Sequence, residues 1–135
     1  MLKIRNKLYF RRFREHLTSL DRHLREGDYV QAAEKVWGAM SSFINAVQPN
    51  EVRRVEDKKY SFKVLFDYLS VKNPHLEELL SKHKFKNIDE FTTKASGLHE
   101  FFYGGRNYSE EYLRGTIAGC AAVLKAVLDV IEGDG

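Results

Sequence analysis

The sequence predicts an all-α protein, folded as a single up-and-down bundle of five to six helices. Apolar residues recur at steps of three and four along most of the chain, which is the period of an amphipathic helix. No stretch shows the alternation that is typical of a half-buried strand. The chain has 135 residues, of which 43% are hydrophobic and 30% are charged. This size and balance fit one globular domain spanning residues 1–135.

The segment 28–47, DYVQAAEKVWGAMSSFINAV, is predicted to be the central helix. Asp28 stands at the N-cap position after Gly27, and Gln31 completes a capping-box pattern. Gly38 and the small residues beside it would let another helix approach closely. The predicted buried face consists of Val30, Ala33, Val36, Trp37, Met40, Phe43, Ile44 and Val47.

The first helix is predicted over residues 3–26, and Gly27 would end it. A connection this short makes the first two helices antiparallel neighbours. Residues 1–25 contain eight Lys and Arg but only two Asp and Glu, a net charge of +6, whereas the whole chain carries +3. The first helix is therefore a cationic element on a mildly acidic body. Its apolar stripe consists of Phe10, Phe13, Leu17, Leu20 and Leu24.

This basic helix has two interpretations. Arg5, Arg11, Arg12 and Arg14 could form a nucleic-acid patch that attracts phosphate groups, with Tyr9 as a stacking group. Alternatively, the arginines lie on a solvated outer face and pair with acidic neighbours. The basic N-terminus lacks the apolar region of a secretory signal, and the chain has no apolar run of about 18 residues. Neither a leader nor a membrane partner is expected.

Four further helices are predicted after the central one. The segment 51–59, EVRRVEDKK, has seven charged residues and is interpreted as a loop, with the first turns of a third helix as the alternative. Asn73-Pro74 is interpreted as an N-cap residue followed by a proline in the first helical position. Gly115 and Gly119 are expected to let the last helix sit tightly against the central one. The predicted helices span about 60–72, 74–84, 87–102 and 109–132.

No metal or cofactor site is predicted. None of the five histidines belongs to a paired helical zinc motif. His16 and His23 are seven residues apart and are expected on the exposed face of the first helix. Cys120 lies among small apolar residues without a neighbouring base, so a buried structural thiol is expected. A single cysteine forms no intrachain disulfide, which favours a cytoplasmic location.

The turn between the last two helices is the candidate ligand or partner site. It gathers His99, Tyr103, Arg106 and Asn107 near the N-terminus of the last helix, where backbone N–H groups favour anions. His99 and Tyr103 are four residues apart and share a helix face. The alternative is a polar, aromatic corner that only closes the bundle.

Two segments resemble the archaeal PaREP family: GDYVQAAEKVWGAM, and LHEFFY followed by a long aliphatic helix. That family is generally grouped with HEPN domains, named for higher eukaryotes and prokaryotes nucleotide-binding. The resemblance implies a HEPN-like bundle, often dimeric, from an archaeon. The wider group includes ribonucleases of toxin–antitoxin and defence systems, and non-catalytic partners of small nucleotidyltransferases. A homodimer and a nucleotidyltransferase-type or other protein partner are thus implied.

The resemblance also bears on catalysis. HEPN ribonucleases carry an arginine followed, after four to six residues, by a histidine near the start of the last helix. Arg106 and Asn107 fit this pattern, but no histidine occurs after His99, so the general acid/base is missing. Arg11 and His16 have the required spacing on the first helix, where we interpret the match as chance. The sequence therefore favours a protein without enzymatic activity.

Three hypotheses for the function follow. The preferred one is a non-catalytic HEPN-like interaction module that dimerises and binds a protein or nucleotide partner. The second is a nucleic-acid-binding protein that uses the basic N-terminal helix. The third is a divergent ribonuclease that uses Arg106 with His99 or Tyr103.

Overall fold

Six α-helices and no strand occur in the computed structural model, which describes residues 2–133. The predicted all-α architecture is confirmed. Side chains of Asn6, Asp28 and Asn87 accept hydrogen bonds from backbone N–H groups in the first turns of three of these helices. None of the helices in this range is both long and apolar enough to span a bilayer. The helices are α1 Lys7–Glu26, α2 Tyr29–Val47, α3 Val55–Lys72, α4 His75–Lys82, α5 Ile88–Phe102 and α6 Glu110–Gly133.

The central helix is α2, as predicted. Twelve of its 19 residues are buried, and it packs against α1, α3, α5 and α6. The backbone N–H groups of Arg5 and Asn6 donate to the carbonyl of Ala46, so the start of the chain lies at the end of α2 and α1 runs antiparallel to it. One position of the predicted buried face is wrong. Val30, in the first turn of α2, is 44% exposed.

A series of phenylalanine rings joins the helices. The centroids of Phe13 and Phe43 are 5.4 Å apart, and those of Phe43 and Phe62 are 5.9 Å apart. The Phe91 ring lies 5.3 Å from both Phe62 and Phe85. All five side chains are buried. Helices α1, α2, α3 and α5 therefore meet in one aromatic core, together with the connection between α4 and α5.

The third helix begins earlier than predicted. Residues 55–59, which we interpreted as part of a loop, are the first turns of α3. Glu56 and Asp57 stand in its first turn, where negative charge complements the helix dipole. The loop is confined to residues 48–54. It is ordered against α2, since Asn45 both accepts from the Val52 N–H (2.7 Å) and donates to the Val52 carbonyl (3.3 Å).

The chain stops and restarts at Asn73-Pro74 as predicted, but the capping role of Asn73 differs. Its side-chain Nδ2 donates to the carbonyl of Leu69 at 2.9 Å, so Asn73 closes the end of α3. Pro74 occupies the N-cap of α4, and no side chain caps that helix. The predicted assignments are therefore displaced by one residue.

Glycines allow close packing at two places. A Cβ atom added at Gly38 would lie 3.0 Å from the His16 ring, so α1 approaches α2 tightly there. One added at Gly119 would lie 3.4 Å from the Phe85 ring, and one at Gly115 would meet nothing within 4 Å. The close packing at Gly119 is thus against the connection between α4 and α5. The predicted contact of these two glycines with the central helix is wrong.

The aromatic core yields a test of stability. Phe62→Ala should lower the free energy of unfolding by about 3–5 kcal/mol, because it removes a fully buried ring that contacts Phe43 and Phe91. Urea denaturation measures this change. Lys72→Gln on the same helix is the control, since Lys72 is exposed and its replacement should change stability by less than about 0.5 kcal/mol. Similar losses for both variants would contradict the proposed core.

Candidate functional site

One groove of about 450 Å³ is formed by α1, α2, α3 and α5 with the loop that precedes α3. We call it the four-helix groove. Arg12 and His16 are one turn apart on α1, and Glu34 and Trp37 are one turn apart on α2, so each pair faces the groove from a single helix. The charged and aromatic residues of its lining are Arg12, His16, Glu34, Trp37, Arg53, Lys58 and His99.

The Trp37 indole contacts two other side chains of the groove, the His99 imidazole and the Lys58 ammonium. The indole is only 4% exposed. The His99 ring stacks on it with centroids 5.0 Å apart and an interplanar angle of 22°. The Lys58 ammonium lies 5.8 Å from the indole centroid, where the electron-rich ring attracts a cation. Trp37 therefore belongs both to the core and to the wall of the groove.

His99 is held by a carboxylate from the central helix. Its Nδ1 lies 3.1 Å from Oε2 of Glu34, and both side chains are largely buried. A carboxylate oxygen accepts hydrogen bonds, so the Nδ1–H group of His99 is the donor and Glu34 is the acceptor. The His99 ring also contacts Tyr103 edge-on, with centroids 5.1 Å apart. This contact confirms that the two residues share a face of α5.

His16 lies in the groove, against Gly38, and not on the exposed face that we predicted. Burial lowers the pKa of His16, and the positive charges of Lys35 and Arg12 lower it further against the opposing effect of Glu15. The imidazole is therefore neutral at pH 7. His23 is also mostly buried, with Nδ1 3.9 Å from the carboxylates of Glu26 and Asp28.

The positively charged side chains of the groove differ in whether a carboxylate pairs with them. Arg53 pairs with Glu51 at 3.1 Å. Within residues 2–133, no carboxylate lies within ion-pair distance of Arg12 or Lys58. Burial lowers the pKa of Lys58, although Glu51 and Glu34 partly offset this effect. The groove thus contains partly desolvated positive charge, and its lining carboxylate, Glu34, is bound to His99.

The four residues of the predicted turn site are divided between two environments. His99 faces the four-helix groove and contacts Tyr103, whose side chain is mostly exposed. The guanidinium of Arg106 instead binds the carboxylate of Glu100, which raises the pKa of Arg106. Asn107 is exposed. A single ligand site made of these four residues remains a prediction.

The four arginines of the predicted nucleic-acid patch also differ in their surroundings. Arg11 pairs with the glutamate one turn later, and Arg14 pairs with a glutamate of α6 at 3.0 Å. Arg5 is exposed, whereas Arg12 lines the groove and lies 5.5 Å from the Tyr9 ring. The interpretation of paired surface charges thus applies to two of them.

The formal spacing of Arg11 and His16 does not create a common site. Arg11 is exposed on α1 and pairs with Glu15, whereas His16 lines the groove beside Arg12. Cys120 is fully buried, as predicted, and burial raises its pKa to about 12. In the described part of the chain, no group of three or more His, Cys, Asp or Glu is placed to hold a metal ion.

Fold and groove together define an all-α bundle protein whose central helix forms part of a polar, mainly cationic groove. The chain belongs to the archaeal PaREP1/PaREP8 family, whose family model matches residues 8–116. The matched region contains nearly all of α1, the whole of α2 to α5 and the start of α6. No curated protein and no solved structure shows a significant match.

The environment of His16 yields a prediction of pH dependence. Because its pKa is lowered in the folded state, the unfolded chain binds more protons just below the ordinary pKa of about 6.5. Stability should therefore fall as the pH decreases through that value. The His16→Gln variant should lose less stability between about pH 7.5 and pH 5, with a difference of at most about 1.4 kcal/mol per pH unit.

Urea denaturation at both pH values measures this difference. NMR titration of the His16 imidazole in the wild-type protein provides an independent control for the direction of the pKa change. Equal losses of stability in the wild type and in His16→Gln would contradict the proposed burial of a neutral imidazole.

Proposed function

We propose that this PaREP protein is a non-catalytic, HEPN-like interaction module that acts as a dimer and binds the phosphate groups of a nucleotide in the four-helix groove. One observation supports the proposal above all. Arg12, Arg53 and Lys58 converge with a neutral imidazole on one groove, where the carboxylate that lines it is already bound to His99. Such a groove attracts anions.

Phosphate is the anion that fits these side chains best. Charge-assisted hydrogen bonds to phosphate are among the strongest that proteins form, and the planar guanidinium group of Arg12 can donate two of them. Arg53 adds a weaker attraction, since its guanidinium already pairs with Glu51. Lys58 is partly desolvated, so an anion beside it would stabilise its charged form. The neutral His16 can donate one further hydrogen bond or take up a proton when the anion binds.

The dimensions of the groove favour a nucleotide over a long nucleic acid. A volume of about 450 Å³ lies within the usual range for sites of small molecules, roughly 300–1,000 Å³. Trp37 is buried under His99 and so presents no free face on which successive bases could stack. A nucleic-acid strand bound through α1 is therefore a less favoured partner than a nucleotide bound in the groove.

A ribonuclease activity is the second candidate, and the placement of two imidazoles in one groove favours it. The neutral His16 would take the proton of a ribose 2′-hydroxyl as its oxygen attacks the phosphorus atom. His99 would give a proton to the leaving 5′-oxygen. Arg12 and Lys58 would stabilise the charge that develops on the phosphate. This arrangement would not use Arg106.

Nucleotide binding can be measured by the intrinsic fluorescence of Trp37, which lines the groove. Trp37 is the single tryptophan of the chain, so its fluorescence should change when ADP is added. Arg12→Gln and Lys58→Gln should each weaken ADP binding about tenfold or more, because each removes a charged hydrogen-bond donor to phosphate. Arg11→Gln is the matched control, since the neighbouring Arg11 pairs with Glu15 and does not line the groove, so its replacement should leave the affinity within about twofold.

Equal effects of the three substitutions would contradict a phosphate site in the groove. Incubation of the protein with structured and single-stranded RNA separates the two candidate functions. No cleavage is expected for a binding module. Cleavage that is lost in His16→Gln and in His99→Gln, but retained in Arg106→Ala, would replace the binding module with the ribonuclease.

Dimerisation is supported by three exposed apolar residues on one side of α3, a side that also carries the exposed Asp67. Tyr60, Val64 and Val71 lie on one side of this helix and are 70%, 46% and 80% exposed. Exposed apolar residues that adjoin along a helix are typical of association surfaces, and a twofold dimer would bury the same face of both subunits.

Sedimentation velocity should show a dimer that dissociates on dilution. Val64→Lys should shift the population to monomer, because it would bury two ammonium groups at the twofold contact. Val30→Lys on α2 is the matched control, since Val30 has a similar exposure of 44% and lies outside this face. A wild-type protein that stays monomeric at high concentration would contradict the proposed dimer.

A further inference from the structure

A second cationic pocket, of about 630 Å³, lies between the α4–α5 connection and the start of α6. It shares no residue with the four-helix groove. We call it the Lys84 pocket. Four of its side chains are cationic, one is an imidazole and one is a carboxylate. These six residues are Lys82, His83, Lys84, Lys94, Glu111 and Arg114.

Lys84, which lines this pocket, has an unfavourable backbone conformation. Its φ of 66° makes it the one non-glycine residue with positive φ in the described range 2–133. The Phe85 N–H donates to the Leu80 carbonyl at 2.8 Å, and the Lys84 N–H donates to the Ser81 carbonyl at 3.0 Å. This is the Schellman pattern that ends many helices, and the left-handed position is usually glycine. A lysine here adds charge to the pocket at the expense of stability.

The connection that carries these lysines is firmly seated. Phe85 is buried and packs edge-on against Phe91, and the Lys94 ammonium lies 5.4 Å from the Phe85 ring. Gly119 lets the connection rest directly on α6, since an added Cβ atom there would lie 3.3 Å from Cβ of His83. The lysine backbones are therefore fixed while their long side chains remain free to adapt.

Most of the positive charge in the pocket is uncompensated. Lys94 pairs with Glu90 at 3.4 Å. In the part of the chain that the structure describes, no carboxylate lies within ion-pair distance of Lys82, Lys84 or Arg114. These three cations outnumber the one carboxylate of the pocket, Glu111, so the pocket attracts a ligand with several negative charges.

The pocket lining contains one tyrosine, Tyr112, whose ring packs against that of Tyr108. The Tyr112 ring lines the pocket and lies 4.7 Å from the Tyr108 ring, at an angle of 32°. Tyr112 is held at the start of α6, where its N–H donates to the Ser109 hydroxyl at 3.1 Å. Aromatic rings beside a row of cations are the combination that binds single-stranded nucleic acid, because bases stack on the rings while cations follow the phosphates.

We propose that the Lys84 pocket binds the phosphate backbone of a single-stranded nucleic acid, with a base stacked on Tyr112. Flexible lysines suit a chain of phosphates whose bases they do not read, so the binding is independent of sequence. This site is separate from the nucleotide site proposed for the four-helix groove, and either can fail without the other.

The experiment measures fluorescence anisotropy of a labelled single-stranded oligonucleotide over a range of salt concentrations. A triple variant, Lys82→Gln with Lys84→Gly and Arg114→Gln, should weaken binding about tenfold or more. The slope of log affinity against log salt should decrease by about two, as expected when three phosphate contacts to a single strand are lost. Tyr112→Leu should weaken binding without changing the slope, because it removes stacking but no charge.

Three single variants serve as controls. Lys84→Gly alone should weaken binding and also raise the urea midpoint, since glycine relieves the positive-φ backbone, so the loss of affinity is not unfolding. Lys86→Gln, an exposed lysine outside the pocket, should leave the affinity within about twofold. Arg12→Gln should leave strand binding unchanged, which separates this site from the groove.

Three results would overturn the proposal. One is an affinity that the triple variant does not change, and another is an equal loss in Lys86→Gln. The third is complete displacement of the strand by pyrophosphate at a concentration similar to that of the strand, which would identify the ligand as a free phosphate anion.

Discussion

Burial of α2 against several helices is the constraint on which the rest of this structure depends. A helix that packs against α1, α3, α5 and α6 has little surface on which polar groups can meet water. Most of its residues are apolar or small, and the close approach of His16 to Gly38 shows how tightly α1 is held. The few polar residues of α2 must therefore find partners, as Asn45 does in the loop before α3 and Glu34 does in His99. The burial of α2 therefore explains why its polar side chains, including Glu34 in the groove, are hydrogen-bonded to residues of neighbouring segments.

The aromatic residues connect core stability with the groove. Trp37 is buried like a core residue, yet His99 stacks on it and Lys58 lies within reach of its ring. A substitution that moved the indole would displace both groups, even though Trp37 itself contributes little exposed surface. Effects of mutations at Trp37 on binding and on stability are thus physically coupled, whereas those at Arg12 are largely independent of the core.

The fold could be predicted from local patterns because helix period, caps and glycine stops all lie within a few residues of one another. The α3 boundary was wrong because charged residues such as Glu56 and Lys59 suit a solvated loop and the exposed turn of a helix equally well. Of the residues that line the groove, only His99 and Arg12 belong to the sites predicted from the sequence, and they belong to two different ones. The contributions of Glu34, Arg53 and Lys58 depend on how four helices pack, which no spacing along the chain encodes. Trp37 was assigned to the core, and its second role depends on tertiary contacts.

The positions of unpaired charges also depend on tertiary contacts and could not be predicted from the sequence. The sequence places its largest excess of positive charge in residues 1–25, yet Arg11 and Arg14 pair with glutamates there. An ion pair satisfies a cation at a modest net gain in stability and leaves little field for a ligand. Cations outside such pairs attract ligands more strongly. One of them, Lys58, lies in the segment 51–59, whose four positive and three negative residues give a net charge of only +1. The distribution of unpaired charge, and not the net charge of a segment, therefore indicates where this bundle meets anionic partners.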